Sequence, residues 1–203
     1  MPRDLRPAFL ALWNLDLALA DVVATSSDPR LGAIRMAWWR EQLEKLDSAT
    51  NVPAEPRLQA VAAELLPRDV TGKELSELED AWLPLLDPFP WSEPQAQAIR
   101  RRGQILFGIG ARLLGSSTDE AARPGALWSL ADAEQHCSDS PSRETLRRAA
   151  GAVLASIDRP MSRNLRALTV LAALAAADIV REGSGLKRLS AAVKHRLVGG
   201  FPS

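Results

Sequence analysis

Apolar residues recur along most of this sequence at intervals of three and four positions, which is the spacing of an amphipathic α-helix. The first such segment extends from about Asp4 to Ala24. Helix-start signals stand between the segments, such as Asp28 directly before Pro29. The pattern predicts an all-α fold of about eight or nine helices, in a single domain over residues 1–203, without a β-sheet.

Capping residues sharpen the prediction in the middle of the chain. Thr71 with Glu74, and Ser92 with Gln95, have the spacing of a capping box, so each pair predicts the start of a helix. Gly103, Gly108 and Gly110 lie inside the second of these helices. Because glycine weakens a helix, their presence there predicts close packing against neighbouring helices.

Four further helices are predicted in the second half of the chain, the last of which contains Leu186, Leu189, Val193 and Leu197 on one face. One covers roughly Gly125 to His136, and Ser140 with Pro141 is expected to begin the next. The segment from Ser162 to Arg181 is apolar on nearly all sides, which predicts a central helix.

Composition and charge narrow the classes of function. The 25 basic and 25 acidic side chains balance, so no global field favours a nucleic-acid partner. Cys137 is the single cysteine, which is typical of a reducing compartment. Residues 1–6 contain no apolar signal core, and the apolar run from Ala167 to Ala177 is too short to span a bilayer. A soluble cytoplasmic protein is therefore expected.

The C-terminal region is basic. From Asp158 onward there are eight Lys and Arg residues and three acids, a balance of +5. A basic amphipathic last helix can contact an anionic membrane or an acidic partner, and the alternative is a solvated face. The residues predicted to make such a contact are Lys187, Arg188, Lys194 and Arg196.

The candidate metal ligands are sparse, and no cofactor is predicted from them. A zinc site needs three or four converging ligands, whereas His136 and the neighbouring Cys137 diverge on a helix. Asp16 and Asp21 are five residues apart, which places them about 140° apart around a helix. We therefore expect these two aspartates to form caps or ion pairs, or to face solvent, and not to share an ion.

Two strings in the N-terminal part resemble the squalene/phytoene synthase family. They are ALWNLDLALADVV at residues 11–23 and LGAIRMAWWREQL at residues 31–43. The second string is especially similar to a branch that includes the mitochondrial complex I assembly factor of this family and its bacterial relatives. The segment from Glu93 to Gly115 resembles the helix before the family's second motif. The resemblance implies a helical bundle of the isoprenoid synthase type.

Active members of that family bind diphosphates and Mg²⁺ through two aspartate-rich motifs. Overlaying the first motif puts its outer aspartates at Ala20 and Ala24, and only Asp21 remains acidic. The second motif falls near residues 135–140, with Gln135, His136 and Asp139 as its degenerate positions. The residues predicted to line a central cavity are Trp13, Leu17, Trp38 and Trp39. For the tryptophan pair, packing in the helical core is the competing interpretation.

The resemblance together with the missing carboxylates predicts a pseudoenzyme. It would be a binding or assembly factor for subunits or assembly intermediates of respiratory complex I, cytoplasmic and peripheral to the membrane. One alternative is a prenyltransferase that condenses isoprenyl diphosphates head to head, and only this alternative calls for Mg²⁺. A second alternative is a protein that binds an apolar ligand without turning it over.

Overall fold

The computed structural model describes residues 2–48, 51–180 and 185–202, although the side chains of residues 185–187 lie outside the description. Within these ranges every regular element is a helix, so the all-α prediction is confirmed. This architecture is consistent with the isoprenoid synthase type of fold. The chain divides into two units, Met1–Pro88 and Phe89–Ser203, which we call unit 1 and unit 2. The single domain over residues 1–203 stays a prediction.

Unit 1 is built around its first helix, whose residues Leu12, Leu15 and Leu19 are fully buried. As predicted, Asp28 begins the second helix, where its carboxylate accepts a hydrogen bond of 2.8 Å from the backbone N–H of Arg30. The helices of unit 1 are α1 (Arg6–Thr25), α2 (Pro29–Lys45), α3 (Pro56–Glu64) and α4 (Gly72–Trp82). Short 3-10 turns follow at Leu66–Arg68 and Leu83–Leu86.

Helix α1 is long and apolar enough, by length and composition alone, to cross a membrane. Half of its most apolar window is buried in the structure, and the core helices of soluble proteins pass the same test. Its buried side packs against α2, α3 and α4. We therefore describe α1 as the core helix of unit 1.

Unit 2 contains five helices in its described part. The backbone N–H of Ser92 donates to Gln95 Oε1 at 3.0 Å at the first helix start, as the capping box predicts. Gly115, with a φ of +65°, ends that helix. The five helices are α5 (Glu93–Leu113), α6 (Thr118–His136), α7 (Ser140–Ala155), α8 (Arg166–Val180) and α9 (Gly185–Val198).

Three helix starts in unit 2 differ from the sequence-based expectation, and one of them is α8, which begins at Arg166 and not at Ser162. Helix α6 begins at Thr118 and continues through Pro124, seven positions before the predicted start at Gly125. Pro124 lacks an N–H for the helix, but it is buried, and the helix that contains it packs closely on α5. Helix α7 is capped by Asp139 and not by Ser140, since the Asp139 carboxylate accepts from the Ser142 N–H at 2.9 Å.

Of the glycines predicted to mediate close packing, Gly103 does so, whereas the prediction is wrong for Gly108, where an added Cβ atom would meet only Thr118 at 4.0 Å. A Cβ atom on Gly103 would lie 2.1 Å from the carbonyl oxygen of Gly125, so α5 and α6 touch backbone to backbone. Helix α6 in turn packs on α7 and α8, and α8 packs on α9. The buried residues of α8 cover most of its circumference, in agreement with its predicted central place.

Candidate functional site

Two of the three first-motif positions, Ala20 and Ala24, lie on an apolar stripe of α1, and the third, Asp21, is exposed beside it, four positions after Leu17. Ala24 is exposed and Ala20 is half-buried, and their neighbours at helical spacing toward the N-terminus are also apolar. We call this set the α1 stripe: Leu10, Trp13, Leu17, Ala20 and Ala24. Leu10 and Leu17 are 61% and 57% exposed, so this side of the helix presents apolar surface to solvent.

The two aspartates of α1 are engaged by different partners. Asp16 is buried, and its Oδ1 accepts a hydrogen bond of 2.8 Å from the indole Nε1 of Trp82 on α4. Asp21 is exposed, with its Oδ2 at 3.8 Å from Arg57 Nη2. Mg²⁺ is held in proteins by several oxygen ligands in near-octahedral geometry. These carboxylates, one buried against an indole and the other paired with a cation, do not fit such a site.

The two tryptophans of the Trp-Trp-Arg string on α2 differ in their burial. Trp39 is buried, whereas Trp38 is 41% exposed. The two rings meet edge to face, with centroids 5.2 Å apart. The prediction that these tryptophans and the α1 residues Trp13 and Leu17 line a cavity stays a prediction.

Arg40, the last residue of the string, joins α2 to α4. Its Nη2 lies 2.6 Å from Glu79 Oε2, and it also pairs with Asp80. The hydrogen bond to Glu79, followed by the charge of both acids, raises the pKa of Arg40 above its usual value. The arginine of the family-like string therefore has a structural role in unit 1.

The second-motif positions lie at the end of α6 and the start of α7. Gln135 Nε2 donates to Asp178 Oδ2 at 3.3 Å, and Asp139 is the helix cap described above. His136 is exposed, with Nδ1 at 2.7 Å from the backbone oxygen of Asp132. Each predicted residue thus has a partner from the protein, and the structure does not bring the three together as a ligand set.

Sequence reasoning missed the buried arginine of unit 2. Arg102 Nη1 lies 3.1 Å from Asp132 Oδ2 and 3.3 Å from Ser129 Oγ. Its guanidinium also lies over the ring of Trp128, 5.0 Å from the centroid. One signal was available, because Arg102 falls on the same helical stripe as the buried Ile99.

A polar groove lies next to the second-motif positions. Its volume is about 270 Å³, and it is bordered by α6, α7, α8 and α9. Glu134 Oε1 lies 3.4 Å from both Arg143 Nη2 and Arg147 Nη2. Arg188 Nε lies 3.3 Å from Asp178 Oδ1. The charged groups of the groove are thus paired with one another.

An apolar groove of about 660 Å³ lies elsewhere in unit 2. Its walls come from the end of α7, the segment before α8, the end of α8 and the chain after α9. Among its lining residues are Leu154, Ile157, Ile179 and Phe201, together with Asp158 and Arg159. A groove of this size and composition can hold an apolar small molecule.

The residues predicted to contact a partner or membrane differ in their surroundings. Lys187 lies outside the described side chains. Arg188 is paired with Asp178, as given above. Lys194 and Arg196 are exposed. Over the described part of the chain, no three His, Cys, Asp or Glu side chains are placed to hold a metal ion together.

Unit 1 is also the part of the chain that resembles a known protein family. Residues 1–81 match the squalene/phytoene synthase family model. The match to this family covers α1, α2, α3 and all but the last residue of α4. It therefore includes the α1 stripe, the Trp-Trp-Arg string and Glu79. No curated protein and no solved structure matches the chain.

Proposed function

We propose that this squalene/phytoene synthase-like chain is a non-catalytic binding protein that takes part in the assembly of respiratory complex I. The observation that carries the proposal is the α1 stripe. At the positions where the resemblance puts metal-binding aspartates, the stripe has Ala20 and Ala24, and the acid beside it, Asp21, lies next to Arg57. An apolar face cannot neutralise the charge of a diphosphate and its metal ions.

The remaining acids support the same proposal. The diphosphate chemistry of this family requires carboxylates free to take Mg²⁺. Asp16 instead accepts a hydrogen bond from Trp82, and Asp21 lies beside Arg57. Asp139 caps α7. Each of these carboxylates already has a partner within its own unit.

A second exposed stripe in unit 1 supports a protein partner. Leu31, Ile34 and Trp38 follow helical spacing on α2 and are 59%, 66% and 41% exposed. Exposed apolar surface of this kind marks protein-binding sites, and tryptophan is common among the residues that dominate such interfaces. A partner that covers these stripes would remove this apolar surface from water.

The test is affinity purification of the tagged chain from its native host. We expect subunits or assembly intermediates of complex I in the eluate, and a reduced recovery with Leu17→Asp, which places a charge on the α1 stripe. Ala152→Asp on α7 is the matched control, since Ala152 is an exposed helical position outside unit 1. Absence of complex I proteins from the wild-type eluate would contradict the assembly role. Equal recovery with both variants would contradict the assignment of the stripe.

The apolar groove of unit 2 favours a second candidate, the binding of an apolar ligand without turnover. The probe is geranylgeraniol, a long isoprenoid alcohol without diphosphate. We expect it to raise the melting temperature of the wild-type chain but not of Ile179→Arg, which fills the groove with a charge. An equal rise for both proteins would remove this candidate.

A further inference from the structure

Helix α9 packs on the rest of unit 2 around His195. His195 is fully buried there, with Nε2 at 2.8 Å from Thr169 Oγ1 and Nδ1 at 3.1 Å from the backbone oxygen of Gly200. Arg166 Nη1 donates to the backbone oxygen of Leu197 at 2.5 Å. Arg188 is paired with Asp178 on α8. These contacts fix which side of α9 faces the rest of unit 2.

The apolar side of α9 therefore faces solvent. Leu189, Val193 and Leu197 are 62%, 50% and 71% exposed and follow one another at helical spacing. At about 100° per residue, this ridge lies almost opposite His195. A leucine-rich helix face normally packs into the core, so an outward ridge of this kind indicates a surface that something else covers. We call these three residues the α9 ridge.

Two cationic side chains border the α9 ridge, one on each side. The same helical geometry of about 100° per residue places Lys194 on one side of it and Arg196 on the other. Both are exposed, and neither makes an ion pair in the described part of the chain. The acid facing α9 from α8, Asp178, is occupied by Arg188 and Gln135. The exposed side of α9 thus combines an apolar centre with positive edges.

We propose that α9 docks on the surface of an anionic lipid membrane, with the α9 ridge entering the boundary between headgroups and acyl chains. Lys194 and Arg196 then lie at the depth of the lipid phosphates. A helix of this composition, with an apolar strip between cations, lies in the plane of the interface.

A flat lipid surface fits this ridge better than a groove in an acidic protein. A groove in a partner protein takes the apolar face of a helix, whereas cations on both edges of an apolar strip are typical of a helix that lies on an anionic membrane. Helix α9 is held against α8 and offers a single side. This inference goes beyond the proposed function, because it involves unit 2 and requires no complex I subunit.

The test is sedimentation of the full chain with vesicles at low salt. One set contains phosphatidylcholine alone, and the other contains phosphatidylcholine mixed with phosphatidylglycerol. We expect binding to the anionic set and much weaker binding to the neutral set. Leu189→Ser with Leu197→Ser should weaken binding about tenfold, because two large side chains no longer leave water. Arg196→Gln should weaken it about fivefold, which is typical of one cation near an anionic surface.

Two control variants distinguish docking through α9 from nonspecific apolar adsorption and from nonspecific charge attraction to the vesicles. Leu83→Ser removes an exposed apolar residue of unit 1, and Arg148→Gln removes an exposed cation of α7. Both should bind like the wild type, and circular dichroism should show unchanged helix content in all variants. Absence of binding to anionic vesicles overturns the proposal. The alternative partner of the α9 ridge is then a groove in an acidic protein. Equal binding to both lipid sets, or a control variant that weakens binding as much as its partner, also overturns it.

Discussion

The α2–α4 pair of unit 1 and the α5–α6 pair of unit 2 are both held together by a glycine contact and by an ion pair. Each pair has a glycine that brings one helix onto the backbone of the other, Gly72 on Leu43 and Gly103 on Gly125. Each also has an arginine that reaches an acid on the other helix. The two pairs have no shared position or sequence motif, so the likeness follows from the demands of close helix packing.

The pairs differ in which charged partner is buried. In unit 1 the Glu79 side chain is 4% exposed, and Arg40 is 36% exposed. In unit 2 the order is reversed, with Arg102 at 6% and Asp132 at 31%. A buried charge that loses its partner is costly, whereas an exposed one is rehydrated. The cost of removing one partner of an ion pair therefore depends on how deeply the remaining partner is buried.

The largest effect is expected from closing the glycine contact of the α5–α6 pair. Gly103→Ala places a methyl group 2.1 Å from a backbone oxygen, which no side-chain rotation relieves. We expect a loss of about 3 kcal/mol in the free energy of unfolding, measured in urea.

Gly151→Ala on α7 is the matched control for the glycine contact. A Cβ atom on Gly151 meets nothing within 4 Å, so alanine should stabilise its helix by about 0.5–1 kcal/mol. If both variants unfold at the same urea concentration, the backbone contact is not what holds α5 to α6.

The next effect tests the buried acid of unit 1. Arg40→Met leaves Glu79 buried without its main cation, and we expect a cost of about 3 kcal/mol. Glu79→Gln keeps an oxygen that accepts from Arg40, and Arg40 keeps Asp80, so its cost should be about 1 kcal/mol. Chemical denaturation of both variants measures the difference. A larger cost for Glu79→Gln would reverse our assignment of the sensitive partner.

The reciprocal variant sharpens the comparison in unit 2. Asp132→Asn removes a negative charge beside the buried guanidinium of Arg102 and keeps Ser129 Oγ and an amide oxygen among its acceptors. We expect a cost of about 2 kcal/mol, measured in the same denaturation assay. A variant as stable as the wild type would show that the stacking on Trp128 suffices.

The smallest effect concerns pH and is confined to unit 2, which contains both histidines of the chain. Burial lowers the pKa of His195 from its ordinary value of 6.5, more than the hydrogen bond to Gly200 raises it. The unfolded chain therefore takes up the proton first, and the stability contributed by neutral His195 is lost as the pH falls below 6.5 toward the folded-state pKa.

Melting curves recorded across that range test the role of His195. His195→Gln should flatten the loss of stability on acidification, whereas His136→Gln, at an exposed position, should keep the wild-type profile. An unchanged profile in His195→Gln would contradict the account.

Helix positions were predictable because capping residues act locally. Asp28, Ser92 and Gln95 make their hydrogen bonds within three residues, so the sequence alone shows them. The start of α6 was misjudged because a proline locally indicates a helix boundary, whereas Pro124 is buried inside a helix that packs on α5. Tertiary packing of this kind leaves no local signal.

The surroundings of the candidate sites were less predictable than the helices. That Asp16 meets the indole of Trp82 depends on a contact across 66 positions of the chain. The outward orientation of the α9 ridge depends on where His195 packs, since helical spacing shows an apolar face but not the direction in which it points.

A measurement of diphosphate release tests most directly whether the α1 stripe has replaced a metal-binding face. The full chain is incubated with farnesyl or geranylgeranyl diphosphate and Mg²⁺, with an active phytoene synthase as the positive control. We predict no release of diphosphate above the protein-free background and no condensed product. Turnover at an ordinary enzymatic rate, about 1 s⁻¹ or more, would contradict the claim and place the catalytic carboxylates elsewhere in the chain.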